Sequence, residues 1–130
     1  MPLQVDRSDL PILRLHYIGD YTDAELFEFL RELSSLFAMP GKKVCVIDLT
    51  HAKPGSARQR KLQAEWIQKH EGALEEGFAA AAVVTDSAVI RGTVTAVFWI
   101  RPLPIPTHVA ATVAAAERWL TPYVVSVRGD

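Results

Sequence analysis

A chain of 130 residues with 49% apolar and 22% charged side chains has the composition of a folded domain, which excludes global disorder. Its length suits one domain spanning residues 1–130, with a core over roughly 10–120, rather than two. Fourteen basic against 15 acidic residues leave a formal charge of −1, so no excess of Lys and Arg recommends nucleic acid as a partner.

So small a net charge gives little protection against self-association, and a homodimer is a reasonable expectation. Cys45 is the only cysteine, and no intramolecular disulfide is available to it. The opening MPLQVDRSD lacks the basic and apolar regions of a secretion signal. Asp86 and Arg91 interrupt the apolar stretch from Phe78 to Ile100, and both charges are expensive at bilayer depth. No transmembrane segment is therefore expected, and cytoplasmic residence is the default.

The first predicted strand runs from Leu10 to Ile18. Leu13, Leu15 and Tyr17 share one parity and face the helices, while Ile12, Arg14, His16 and Ile18 share the other. Pro11 suits a strand entry or an edge, since proline donates nothing to a ladder. After the turn at Gly19-Asp20, Thr22 and Glu25 fit a capping box, and Tyr21 can staple onto Leu26. Leu26, Phe29, Leu30, Leu33 and Phe37 form the apolar stripe of this helix, opposite Glu25, Glu28, Arg31 and Glu32. Met39-Pro40-Gly41 stops it.

Lys43–Leu49 (KVCVIDL) reads as a central strand covered on both faces, with Cys45 as a small buried thiol. Pro54-Gly55 breaks the chain, and Ser56, with Gln59 three residues on, starts a helix. This helix carries Leu62, Trp66, Ile67, His70, Ala73 and Leu74 and ends at Gly77. Phe78–Thr85 is a further strand. Asp86 or Ser87 caps a helix carrying Val89, Ile90, Val94, Val97 and Phe98. Arg101–Pro106, with its three prolines, is expected to lie extended at an edge. Thr107 is expected to cap a last helix with Val109, Val113, Ala116, Trp119 and Leu120 inward, ended by Pro122. Tyr123–Val127 is left as either a final strand or an ordered tail. This alternation predicts a layered α/β fold, a short sheet with about four packed helices.

Four segments carry a family resemblance: GDYTDAELFEFL, KKVCVIDLT, AAAAVVTDSAVIRG and AAAERWL. Together they resemble the STAS/SEC14-like domains called SpoIIAA-like, relatives of the anti-anti-sigma regulatory factors. The resemblance implies a small α/β module with a curved sheet, acting through protein–protein contact that is sometimes gated by phosphorylation or nucleotide. It also implies a phosphorylatable serine in a DSSG-type motif opening the second helix. Here that region reads DLTHAKPGSARQR: Asp48-Leu49-Thr50 matches the family's strand end, no DSSG follows, and Ser56 lies near the expected position. The SEC14-like side of the resemblance implies a lipid ligand, although the chain is short for a large lipid-enclosing cavity.

Candidate ligand or phosphoswitch residues collect beyond the central strand, where open α/β sheets bind their ligands: Asp48, Thr50, His51, Ser56 and Arg58. Main-chain donors opening the next helix can hold an anion there, assisted by Ser56 and Arg58. The alternative is Asp48 bonded to its own loop, Thr50 and His51 at the surface, and Ser56 as a cap. Arg58, Arg60 and Lys61 form either a solvated face, with Lys61 paired to Glu65, or a docking surface for an acidic partner or phosphate. Arg91, beside Gly92, is a further ligand or oligomer candidate. Trp99, Leu103 and Ile105 are the interface candidates, forming an apolar patch for self-association.

His16, His51, His70 and His108 are too dispersed for a local metal motif, and neither a metal nor another cofactor is expected. No GxSxG elbow, phosphate loop or GxGxxG is present, and no residue is nominated as catalytic. The leading expectation is a non-catalytic regulatory or scaffold domain that binds another protein and possesses an exposed apolar patch. The alternative is a module binding a small molecule, lipid or anion, recognisable by an apolar pocket with few directed polar groups. An enzyme, the least favoured reading, requires titratable groups converging in a cleft.

Overall fold

The chain forms five strands, whose successive side chains point to opposite faces: Leu3–Asp9 (β1), Ile12–Gly19 (β2), Lys43–Ala52 (β3), Phe78–Val84 (β4) and Thr107–Ala110 (β5). In the computed structural model, which describes residues 2–129, they form one sheet in the order β1-β2-β3-β4-β5. β1 runs antiparallel to β2, and every other pair is parallel. The helices are Asp23–Ser35 (α1, followed by a 3-10 turn at Leu36–Ala38), Ala57–Lys69 (α2), Glu71–Gly77 (α3), Ala88–Ile100 (α4) and Val113–Gly129 (α5).

Alternate residues of the inner strands serve two cores. Leu13, Leu15, Cys45 and Ala81 meet Leu26, Phe29 and Leu30 of α1, Ile67 of α2 and Leu74 of α3. On the other side Val44, Val46, Ala80, Ala82 and Ala110 meet Ala116 and Leu120 of α5. One helix therefore covers one face, and four share the other. Arg14 anchors α5 electrostatically: its guanidinium bonds Glu117 at 2.9 Å and Asp9 at 3.0 Å. These two carboxylates, Glu117 foremost, push the Arg14 pKa further upward.

Both predicted capping boxes form. Thr22 Oγ1 accepts from Glu25 N–H at 3.1 Å, and Glu25 Oε1 accepts from Thr22 N–H at 2.9 Å. Ser56 and Gln59 repeat the exchange at 3.0 and 3.1 Å. Gln59 also donates through Nε2 to Tyr21 O at 2.8 Å, which ties the start of α2 to the start of α1.

The structure departs from the sequence reading in several places. β1 was not anticipated: only Leu3 and Val5 alternate before Asp6-Arg7-Ser8-Asp9, too short a signal for periodicity. Pairing with β2 decides it, placing Leu3 opposite Tyr17 and Val5 opposite Leu15. Leu10-Pro11 consequently lies in the hairpin turn, and β2 begins at Ile12. β3 continues through Thr50 and His51 to Ala52, because β2 offers Ile18 and Gly19 as ladder partners. The single helix expected over 56–77 bends at His70 (φ −111°, ψ 21°) into α2 and α3.

The C-terminal third differs most. Arg101–Pro106 is an irregular connection rather than an edge strand; β5 forms the edge beside β4, and it contains Thr107, His108 and Val109, which the sequence pattern places in a helix. Thr112 rather than Thr107 caps the last helix, accepting from Ala115 N–H at 3.1 Å. Pro122 lies inside α5 instead of ending it, and Tyr123–Val127 is helical, neither a strand nor a tail. An internal proline is costly to a helix. Here Tyr123, Val124 and Val127 continue the packing on the α5 face of the sheet and offset that cost.

Leu120, 1% exposed, is the centre of the α5 contact. Leu120→Ala is expected to lower unfolding free energy by about 2–5 kcal/mol, read as a reduced urea midpoint with an unchanged m-value. Ser56→Ala, which removes one half of a capping box at the surface, is expected to cost about 1 kcal/mol in the same measurement.

Candidate functional site

The two faces of the sheet are filled unequally. Opposite α5, small residues allow close approach: Ala80 and Ala82 are both fully buried. On the other face the helices are held off the sheet, and a cavity of ≈ 160 Å³ lies beneath them. Leu15, Ile47 and Val83 form its floor, with Ile67 of α2 and Val94 and Phe98 of α4 among its walls. Ile47 stands at the middle of the central strand and is nonetheless only half-buried, because it looks into this space. Ala81, on the same face of β4, contributes to the void through its small side chain.

One end of the cavity is polar. Tyr17 Oη donates to Gln63 Oε1 at 3.0 Å, and Gln63 Nε2 donates to Tyr21 Oη at 3.2 Å. Burial raises the pKa of both phenols, so each keeps its proton at neutral pH. Arg60 and Lys53 complete this end, and Lys53 is exposed, so the polar end reaches the surface. No Asp or Glu belongs to the lining among the described residues. The placement follows from the fold: Ala52, Lys53 and Pro54 leave the C-terminal end of β3, and Arg60 and Gln63 sit in the first turns of α2.

Gly55 makes this corner possible. Its φ of +71° is a left-handed value that favours glycine, and a Cβ there would lie 3.1 Å from both Tyr21 Oη and Gln59 Oε1. Arg60 Nη1 donates to the Gly55 carbonyl at 2.9 Å, so the guanidinium and the Tyr21 hydroxyl are held against the same residue. Cys45 lies deeper in the lining; burial pushes its thiol up to about 12, which leaves it protonated and a poor nucleophile.

The residues nominated from sequence are dispersed around this cavity. Asp48 turns to the α5 side of the sheet, where Oδ1 accepts from Thr50 N–H at 3.0 Å and Oδ2 lies 3.5 Å from His16 Nδ1. Thr50 and His51 are exposed at the end of β3, and Ser56 is occupied as a cap. Arg58 crosses to α1, with Nε 2.9 Å from Asp23 Oδ2. Arg91 is exposed on the outer side of α4, in a shallow groove with Gly92 and Trp99.

The interface trio divides. Trp99 is 85% exposed, whereas Leu103 and Ile105 turn inward and line the cavity. An ion pair between Arg101 and Glu71 holds the intervening chain against α3. Sequence reasoning misses Tyr17, Tyr21 and Gln63; Lys53 falls within the polar stretch between Asp48 and Ser56, and Arg60 within the basic cluster that can dock an acidic partner or phosphate. A signal was present: Arg60 and Gln63 precede Ile67 by seven and four residues, so two polar side chains continue the buried stripe of α2.

No group of three or more His, Cys, Asp or Glu side chains is placed to hold a metal ion among the described residues. Nor, among those residues, is any helix long and apolar enough to cross a membrane.

Comparison with known proteins agrees with this architecture. A crystal structure of a DUF3478-family protein with a SpoIIAA-like fold, from Shewanella loihica PV-4, superposes with a TM-score of 0.65. The two are 18% identical, and the match covers 91% of each chain, a likeness of fold. No curated protein matches the chain. The SpoIIAA-like family model matches residues 12–121, from the first residue of β2 into α5. By that match across most of its length, the chain belongs to the SpoIIAA-like family.

Proposed function

We propose that this chain is a binding module for a small apolar molecule with one polar end. The observation that carries this reading is the cavity of ≈ 160 Å³, apolar except for one corner of directed hydrogen-bonding groups. Engineered cavities of about 150 Å³ lined by Leu, Ile and Phe stay dry and take up benzene or xenon. A void left empty forfeits the dispersion contacts of its lining, so an apolar occupant of the right size restores them.

A regulatory use follows from which element walls the site. α4 buries only Ile90 fully, while its half-buried Val94, Val97 and Phe98 face the core and cavity. An occupant in contact with Val94 and Phe98 adds packing to a helix that has little of its own. Ligand binding thereby stabilises one placement of α4 relative to others, which is the requirement for a ligand-set signal.

The outer side of the same helix supports a second reading, contact with a second copy of the chain. Val89, Trp99 and Ile100 are 67%, 85% and 59% exposed, an apolar display that a lone surface helix does not need. Ala88, Gly92 and Ala96 are small enough there for close approach of another helix, and a net charge of −1 opposes pairing only weakly.

Adding benzene to ten times its Kd is expected to raise Tm by roughly 5 °C. Ala81→Leu, which fills part of the void, is expected to remove that shift without lowering the unliganded Tm. A wild-type Tm indifferent to both benzene and toluene overturns the binding reading. For the second reading, size-exclusion chromatography with light scattering is expected to show a dimer that Trp99→Glu dissociates. A wild-type protein that stays monomeric throughout the micromolar range sinks it.

A further inference from the structure

We infer that the natural occupant of the cavity is a small monocarboxylate, an aryl or short-chain acid. Its apolar body lies over Ile47 and Ala81, and its carboxylate is held at the polar corner by Arg60 and the Tyr21 hydroxyl. The inference rests on the binding reading above and deepens it by naming the chemical class.

Charge supplies the first argument. The ionised side chains of the lining are Lys53 and Arg60, both cationic, with no carboxylate beside them among the described residues. The neighbouring cations have partners: Lys53 lies 3.8 Å from Asp20, Arg58 lies 2.9 Å from Asp23, and Lys61 lies 4.0 Å from Glu65. Arg60 differs. Among the described residues its hydrogen bonds go to main-chain carbonyls, to Gly55 O at 2.9 Å and to Pro54 O at 3.5 Å, both through Nη1. A guanidinium carries five N–H donors in a planar fork, so most of its bonding capacity remains for an anion. The planar fork matches an oxyanion bidentately, two parallel N–H bonds meeting the two oxygens of a carboxylate.

The hydroxyls supply the second argument. Tyr21 Oη accepts from Gln63, and its own proton has no acceptor in the protein among the described residues. Burial keeps that phenol protonated, as described above. A donor fixed by an amide relay and set beside a guanidinium is placed so that one carboxylate can accept from both. Tyr17, by contrast, spends its proton on Gln63.

Size supplies the third. A space of ≈ 160 Å³ accepts about one aromatic ring or a short alkyl chain, far less than the tail of a membrane lipid. The apolar body is therefore small, and a single head group occupies the single polar end.

The test compares benzoate, benzyl alcohol and toluene, three probes with the same ring, by calorimetry at neutral pH and low salt. Wild type is expected to bind benzoate about tenfold or more tightly than benzyl alcohol, the usual gain from a charged hydrogen bond. Arg60→Gln is expected to bring the two within about twofold while toluene affinity is unchanged, which also shows that the variant is folded. Tyr21→Phe is expected to weaken benzoate and leave toluene unaffected. Equal binding of benzoate and benzyl alcohol by wild type, or a benzoate preference that survives Arg60→Gln, overturns the monocarboxylate assignment. Toluene binding retained in that event leaves the binding reading standing. Failure of all three probes to bind wild type overturns both.

Discussion

The parallel strands β3 and β4 carry apolar side chains on both sides of the sheet, and the rest of the structure is arranged around covering them. Val44, Val46, Ala80 and Ala82 point one way; Cys45, Ile47, Ala81 and Val83 point the other. A sheet of this kind is stable only when both faces are shielded from water, each fully buried Val or Leu contributing about 1.5–3 kcal/mol. α5 supplies one cover, and the first four helices supply the other. This requirement is strong enough to carry α5 through Pro122, since stopping the helix there would expose Val124 and Val127 and uncover part of the sheet.

The two covers meet the sheet differently, and the candidate site arises from that difference. Against α5 the alanines let backbone approach backbone. On the opposite face the same alanine-rich strand leaves too little side-chain volume beneath α2 and α4, which are held at a distance by Trp66, Phe98 and the inward-facing Leu103 and Ile105. The space left over opens at the C-terminal ends of the parallel strands. Strands of one direction deliver their following loops to one edge, so polar groups from the β3–α2 connection and from Tyr17 and Tyr21 gather there. Packing thus makes the cavity, and topology gives it a polar end.

Partnership separates cations that composition treats alike. Arg58, Arg60 and Lys61 adjoin in sequence, yet Arg58 and Lys61 are paired with carboxylates at the surface, where such pairs contribute at most about 1 kcal/mol. Arg60 faces the cavity and keeps donors in reserve. The contrast between Trp99 and its neighbours Leu103 and Ile105 is similar: adjacent apolar residues with opposite exposures, one side of α4 turned to solvent and the following chain turned to the cavity.

Local chemistry made much of this fold legible from the chain alone. The two capping boxes, the inward parity of Leu13, Leu15 and Tyr17, the doubly buried β3 and the family likeness all depend on residues within a few positions of one another, where stereochemistry and periodicity act directly. β1, β5 and the helical course of Tyr123–Val127 did not follow from local pattern, because ladder partners and sheet faces distant in sequence decide them against short or proline-broken signals. The site belonged to the second group as well. Tyr17, Tyr21, Arg60 and Gln63 lie on three separate elements, and only their tertiary packing brings them to one corner. A cavity is a deficit of volume between elements, and no single segment of sequence encodes it.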